Sequence, residues 1–392
     1  MALGVGRLSL GATTATALPS LALRRATLWG LLFAKILAGW GVQWDIQWHV
    51  QIGRDTFWIP PHVMTYAGVM LAVVLSFGLL AWDTLTRRPA PETSGATAWL
   101  RVAGFTSTPG VHLAAWGIGL TVLAAPIDDL WHRLFGLDVT LWSPPHLLGI
   151  VGAVINTLAC FLIAREVYPA RSVGRFAATI LSGAILYGGL HLVVDPASLV
   201  AYRHGGLRFY TFPILAALIL PLPLVSTTRL AGTRWAPLLL VLTIIPIGMV
   251  GARIAWTGFE MIQPVSVIQE EIAKDPNSEI AVAYTIAQRN GFPPGRTGGR
   301  QHVYALLPVL AMSLVDARRR PLAATAAYAV ALFGVMAWIL THRPAFAPLA
   351  PGPIETALGL ALTLLAALPA AIAARRLSNA LERLERGQAF TS

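Results

Sequence analysis

Stretches of about 20 mostly apolar residues recur from near the start of this chain to near its end. A helix rises 1.5 Å per residue, so about 20 residues match the ~30 Å hydrocarbon thickness of a bilayer. Ten such stretches are read at roughly 27–48, 62–82, 110–131, 146–165, 174–194, 209–226, 235–256, 302–316, 321–341 and 353–374. Composition agrees. Of 392 residues, 56% are apolar and 12% are charged, about half the ~25% charge of a soluble domain. The expected fold class is all-α, a polytopic transmembrane helical bundle of about ten helices. A soluble enzyme, a disordered tail and a disulfide scaffold are excluded. Cys160 is the sole cysteine and lies in an apolar run, so it reads as a packing residue.

The formal charge of +11 raises the question of where the basic residues sit. Arg7, Arg24 and Arg25 precede the first stretch, Arg87, Arg88 and Arg101 follow the second, and Arg165, Arg171 and Arg175 follow the fourth. Arg229 and Arg234 follow the sixth, Arg318 to Arg320 the eighth, and Arg375 and Arg376 the tenth. Basic residues stay on the cytoplasmic side, which predicts a multi-pass protein of the cell membrane with both termini cytoplasmic. The positive excess is then an arginine fringe and needs no nucleic-acid partner.

The chain accordingly divides into a cytoplasmic tail (1–25, with a cleaved leader as the alternative), a first hairpin (26–84), a cytoplasmic linker (85–109) and a second hairpin (110–166). Three further spans (167–256), an external cap (257–301), three C-terminal spans (302–376) and an amphipathic cytoplasmic tail (377–392) follow. Lys35 lies well inside the first stretch, where a charge is costly. It either faces a functional cavity or snorkels to the surface.

Two segments match one another: Trp44 to His62, WDIQWHVQIGRDTFWIPPH, and Ile127 to His146, IDDLWHRLFGLDVTLWSPPH. Asp45 pairs with Asp128, Trp48 with Trp131, His49 with His132, Gly53 with Gly136, Asp55 with Asp138, and each ends in Pro-Pro-His. The offset is 83 residues at the first histidines and 84 at the last. Both copies leave the membrane on the same side, so this reads as a parallel tandem repeat of a two-helix unit.

The chemistry follows from spacing. Asp45 and His49 are four apart, one turn along the same helix face. His62 opens the next helix after Pro60 and Pro61, and a hairpin returns it beside them. One carboxylate and two imidazoles suit divalent copper or iron, with zinc as a further alternative, and leave coordination positions open. Asp128, His132 and His146 offer the same set, while Asp55 and Asp138 stand near enough to orient an imidazole or to be ligands themselves. A single histidine at a helix end is ordinarily an interfacial polar residue, and the tryptophans fit an aromatic belt. Recurrence of Asp, His and His at matched offsets sets these apart.

Of nine histidines, only His112 falls at a cytoplasmic helix end. His191 and His204 repeat the thirteen-residue interval of His49 to His62, with Tyr187 in the aspartate's place, which suggests an additional, decayed site. His302 opens the eighth stretch as His62 opens the second.

The run Asp45-x3-His49-x12-His62, with Trp48 and the string Arg54-Asp55-Thr56, resembles the metal-site hairpin of the C subunit of copper membrane monooxygenases, the group of particulate methane and ammonia monooxygenases. The resemblance implies copper at Asp45, His49 and His62, a small apolar substrate, and other membrane subunits as partners. The second copy has the ligand types but Leu137-Asp138-Val139 in place of the string. The functional expectation is a copper-dependent, monooxygenase-like subunit acting at the external face. A transporter or metal-handling protein, or a structural subunit of a larger complex, are the alternatives.

Overall fold

A computed structural model describes residues 21–53, 56–86, 99–135, 142–202, 204–278, 281–282, 284–285, 302–343 and 346–385. The described chain is a helical bundle. Its α-helices are α1 (Leu21–Gln51), α2 (Pro60–Thr86), α3 (Pro109–Phe135), α4 (Pro144–Val167), α5 (Val173–Tyr202), α6 (Thr211–Ile219), α7 (Pro221–Ala231), α8 (Ala236–Ile262), α9 (Val267–Lys274), α10 (Leu306–Val315), α11 (Pro321–Thr341) and α12 (Pro353–Glu385). Many open on proline, whose missing N–H is no loss in a first turn. Three stop where the backbone turns left-handed, at Gly232 (φ 69°), Gln263 (φ 48°) and Asp316 (φ 64°).

Among the described residues, eight segments are long and apolar enough to cross a membrane. Two of the ten expected spans fall outside that set. The first, α1, has 31 residues, but Arg24, Arg25, Lys35 and Asp45 dilute its apolar character. The other, at 302–316, begins as a 3-10 turn (Val303–Ala305) and continues in a ten-residue α10. Within the sixth stretch a join at Leu220 separates α6 from α7, because Pro221 offers no N–H. The last stretch and the expected amphipathic tail form one helix of 33 residues.

A small antiparallel hairpin occupies part of the linker. Strand β1 (Leu100–Val102) pairs with β2 (Phe105–Ser107), with Leu100 opposite Ser107. Ala103 (φ 51°) and Gly104 (φ 86°) make the two-residue turn whose twist suits paired strands. No alternating apolar pattern announced it.

The helices pair as hairpins through small residues. A Cβ on Gly68 of α2 would lie 2.6 Å from the Ala34 carbonyl oxygen of α1, and one on Gly117 of α3 would lie 2.6 Å from the Asn156 amide nitrogen of α4. Such contacts let two backbones approach as closely as they do in membrane helix pairs. One apolar cluster joins α1 to α4 and includes Leu28, Leu31, Cys160 and Ile163. A larger one gathers Tyr187, Phe212, Leu240, Met312 and Tyr328 from α5 onward.

The two ends of the bundle differ chemically. At the arginine-rich end Arg24, expected in the solvated fringe, is fully buried. Its Nη2 donates to both oxygens of Asp83 at 2.6 Å, and its guanidinium stands 5.3 Å from the Trp99 ring centre. The Ser107 hydroxyl donates to the same carboxylate. Glu166 accepts from the Thr108 hydroxyl (2.7 Å) and the Gly110 amide (2.8 Å), tying α4 to the start of α3. Arg229 of α7 reaches Ser378 and Asn379 of α12. Lys35 donates to the Ala153 carbonyl of α4 at 3.3 Å.

Removing one partner of a buried ion pair leaves the other charge uncompensated, at about 3–5 kcal/mol. Asp83→Ala is expected to lose that much unfolding free energy in mixed micelles, and Arg24→Met with Asp83→Leu to regain most of it. A single-variant loss below about 1 kcal/mol, the scale of surface pairs, would refute the assignment.

The turn between α10 and α11 is held by an ion pair. Arg318 hydrogen-bonds to Asp316 through Nε (2.9 Å) and Nη2 (2.8 Å), holding that carboxyl below the usual carboxylate range, and it caps the Gly232 carbonyl. Because the folded value is depressed, the stabilisation is complete above the ordinary aspartate value of about 3.9 and is lost as pH falls through the lowered one. The thermal midpoint of wild type should exceed that of Asp316→Asn at neutral pH and converge on it in acid. Parallel midpoint curves across that range would contradict the pairing.

Candidate metal centre

At the other end of the bundle the first hairpin closes around a turn. Helix α1 ends where the Ile52 amide donates to the Trp48 carbonyl (2.7 Å), and Gly53 then adopts φ 83°, a conformation that glycine tolerates. The Ile59 amide donates to the Thr56 carbonyl (3.2 Å), and Pro60 and Pro61 start α2. His62 is the third residue of α2, so the hairpin turns it back toward α1.

Three ligand atoms result. Nε2 of His49 stands 3.7 Å from Asp45 Oδ1, and Nε2 of His62 stands 3.1 Å from the same oxygen. One donor atom from each of Asp45, His49 and His62 lies within 4.8 Å of the others. Among the described residues this is the group of three or more such side chains that meets that spacing.

The second nitrogen of His62 decides what the first can do. Nδ1 lies 3.1 Å from the Thr56 carbonyl oxygen. A carbonyl only accepts, so Nδ1 carries the proton and donates. A neutral His62 then presents the lone pair of Nε2 to a carboxylate oxygen, acceptor facing acceptor. A cation between them, or a second proton on the ring, reconciles the two. Oδ1 of Asp45 is itself buried and accepts no hydrogen bond among the described residues. A ring fixed from behind by a carbonyl is the usual outer support of a metal-bound imidazole. The donor set of one carboxylate and two imidazoles therefore fits a divalent transition ion.

The surroundings leave one side open. The His49 side chain is 49% exposed, against 23% for Asp45 and 18% for His62. Behind them Trp48 stacks on Phe259 of α8 with ring centres 5.7 Å apart, and Trp44 meets the same ring edge-on at 6.2 Å. Tyr66 lies 5.8 Å from the His62 ring, and Phe57 packs on Tyr66 at 4.9 Å. Helix α9 braces the turn: the Val267 amide donates to the Ile52 carbonyl (3.0 Å), and the Ser266 hydroxyl to that of Gln51 (2.6 Å). Sequence reasoning missed this brace and the Thr56 carbonyl, since backbone groups carry no letter.

The matching segment is described in part. Asp128 Oδ1 and His146 Nε2 stand 3.5 Å apart across the α3–α4 hairpin. The side chain of His132 lies outside the described residues, as do Asp55 and Asp138. The expected third group divides. His204 is exposed, whereas Tyr187 and His191 are buried. Their partners come from beyond the cap: the Tyr304 hydroxyl is 2.6 Å from His191 Nε2, and the His302 ring centre is 4.7 Å from that of His191. Comparison of the chain with protein-family models, with curated proteins and with solved structures gave no match.

Proposed function

We propose that this chain is a cell-membrane protein of ten spans, both termini cytoplasmic, that binds copper at Asp45, His49 and His62 and serves as a monooxygenase-like subunit for a small apolar substrate at the external face. The convergence of those three ligand atoms across the first hairpin carries the reading. Its redox part rests on the resemblance of Asp45-x3-His49-x12-His62 to the copper-site hairpin of membrane monooxygenases. The matching Asp128 and His146 pair across α3 and α4 supports a tandem two-helix repeat, with a second centre completed by His132. Helix α1, at 31 residues, is long enough to serve as a span despite Lys35.

Bound copper would supply dioxygen activation in such a subunit. The chain's own residues do the rest. Asp45 contributes the negative charge that offsets a cation, and Thr56 fixes the His62 tautomer through Nδ1. His49, half exposed, marks the side open to water and substrate. Phe57 against Tyr66, and Trp48 against Phe259, give the ligand set apolar neighbours. Lys35, the residue most favourable to a transport pathway, already donates to an α4 carbonyl, which favours a packing role.

Elemental analysis of the purified chain should find about one to two copper ions per molecule, falling by one in Asp45→Ala/His49→Ala. Preparations holding neither copper nor iron would overturn the reading, and zinc alone would remove its redox part. Membranes containing the protein and its co-purifying subunits, supplied with a two-electron donor such as a quinol, should convert a short alkene to its epoxide with uptake of dioxygen, the second oxygen atom leaving as water. His62→Ala should abolish that conversion, and product formation undiminished in the variant would exclude this centre as its source.

A further inference from the structure

A second cluster of nitrogen and oxygen donors lies inside the bundle, apart from the hairpin centre. His191 of α5 is 4% exposed and His302, at the start of the α10 segment, is 5% exposed. Their rings meet edge-on, with centres 4.7 Å apart and planes at 79°. The rings packed around the pair are Tyr187, Phe212 and Tyr304, which bring no carboxylate. Tyr187 and Tyr328 belong to the same fully buried cluster.

Nδ1 of His302 and the hydroxyls of Tyr187 and Tyr328 are buried, and none of the three makes a hydrogen bond among the described residues. A buried polar group left so costs about 1–3 kcal/mol. In contrast, Nε2 of His191 has the Tyr304 hydroxyl at 2.6 Å. With that hydroxyl accepting from Nε2–H, the lone pair of the His191 ring resides on Nδ1. This is the arrangement of a metal-bound imidazole, in which an oxygen supports the nitrogen that does not ligate.

We infer that His191 and His302 form a second metal site, for a cuprous ion held between two neutral imidazoles in the apolar core, with Tyr304 as the outer support of His191. Charge selects the ion. A divalent cation in a site that shows no anionic partner among the described residues would carry two uncompensated charges into low dielectric, whereas Cu(I) carries one and accepts imidazole ligands at low coordination number. Metal–imidazole bonds are about 2 Å long and each ring centre lies about 1 Å behind its ligating nitrogen, so rings whose centres are 4.7 Å apart would hold the ion at a bent angle of about 100°. Binding joins two lone pairs to the ion, with no change of oxidation state and no proton released. The residues of the hairpin centre take no part, so the inference stands whether or not that centre is catalytic.

The test uses the full chain in detergent, with Cu(I) supplied under ascorbate against a chromophoric Cu(I) chelator. The background variant Asp45→Ala/His49→Ala/Asp128→Ala/His146→Ala removes the hairpin sets. It should still hold one equivalent, and adding His302→Gln should bring the content to zero. X-ray absorption of the background variant should show two nitrogen neighbours and no sulfur. As a guard against misfolding, His302→Gln alone should lower the copper content of the otherwise natural chain by one equivalent without a change in thermal midpoint. A background variant that folds and takes up no Cu(I) would overturn the assignment. So would a natural chain whose copper content is the same with His302→Gln.

Discussion

The distance between α1 and α2 governs the hairpin centre. Asp45 and His49 belong to one helix and His62 to the other, so no ligand set exists unless the two backbones lie close. Gly41 and Gly68 allow that approach: a Cβ on Gly41 would lie 2.6 Å from the Thr65 amide nitrogen, and one on Gly68 equally near α1. In a bilayer, where lipid tails are as apolar as leucine, such backbone proximity is a main source of helix association. The Pro60-Pro61 start and the positive φ of Gly53 then set the turn, and α9 braces it from outside.

Polar groups are spent sparingly in this molecule and are mostly paired. Arg24 meets Asp83 and Ser107, Glu166 meets Thr108 and Gly110, Lys35 meets a carbonyl, and Asp316 meets Arg318. All but the Lys35 contact knit the arginine-rich end. At the opposite end Oδ1 of Asp45 and Nδ1 of His302 are buried atoms able to ligate a cation, and neither makes a hydrogen bond among the described residues.

The second motif and the His191 cluster illustrate two kinds of sequence signal. Asp128 and His146 meet because the repeat carries the same Pro-Pro-His start and the same helix-face spacing as the first copy. The interval from His191 to His204 imitates that pattern without the hairpin that gives it meaning, and His191 meets His302 and Tyr304 instead. Those two lie more than a hundred positions away, past the cap, so local periodicity held no trace of the encounter.

The apolar runs by themselves determined that the chain is a helical membrane-type bundle, because about 20 residues without charge leave few other folds. Helix periodicity likewise determined that Asp45 and His49 share a face, and the prolines determined that α2 starts just ahead of His62. Tertiary structure alone decided that Arg24 is buried against Asp83 instead of lying in a solvated fringe. It alone divided the sixth stretch at Leu220, and it joined His191 to His302. The reason is physical: spacing along one helix follows from 3.6 residues per turn, whereas contacts between helices depend on which small residues let which backbones approach.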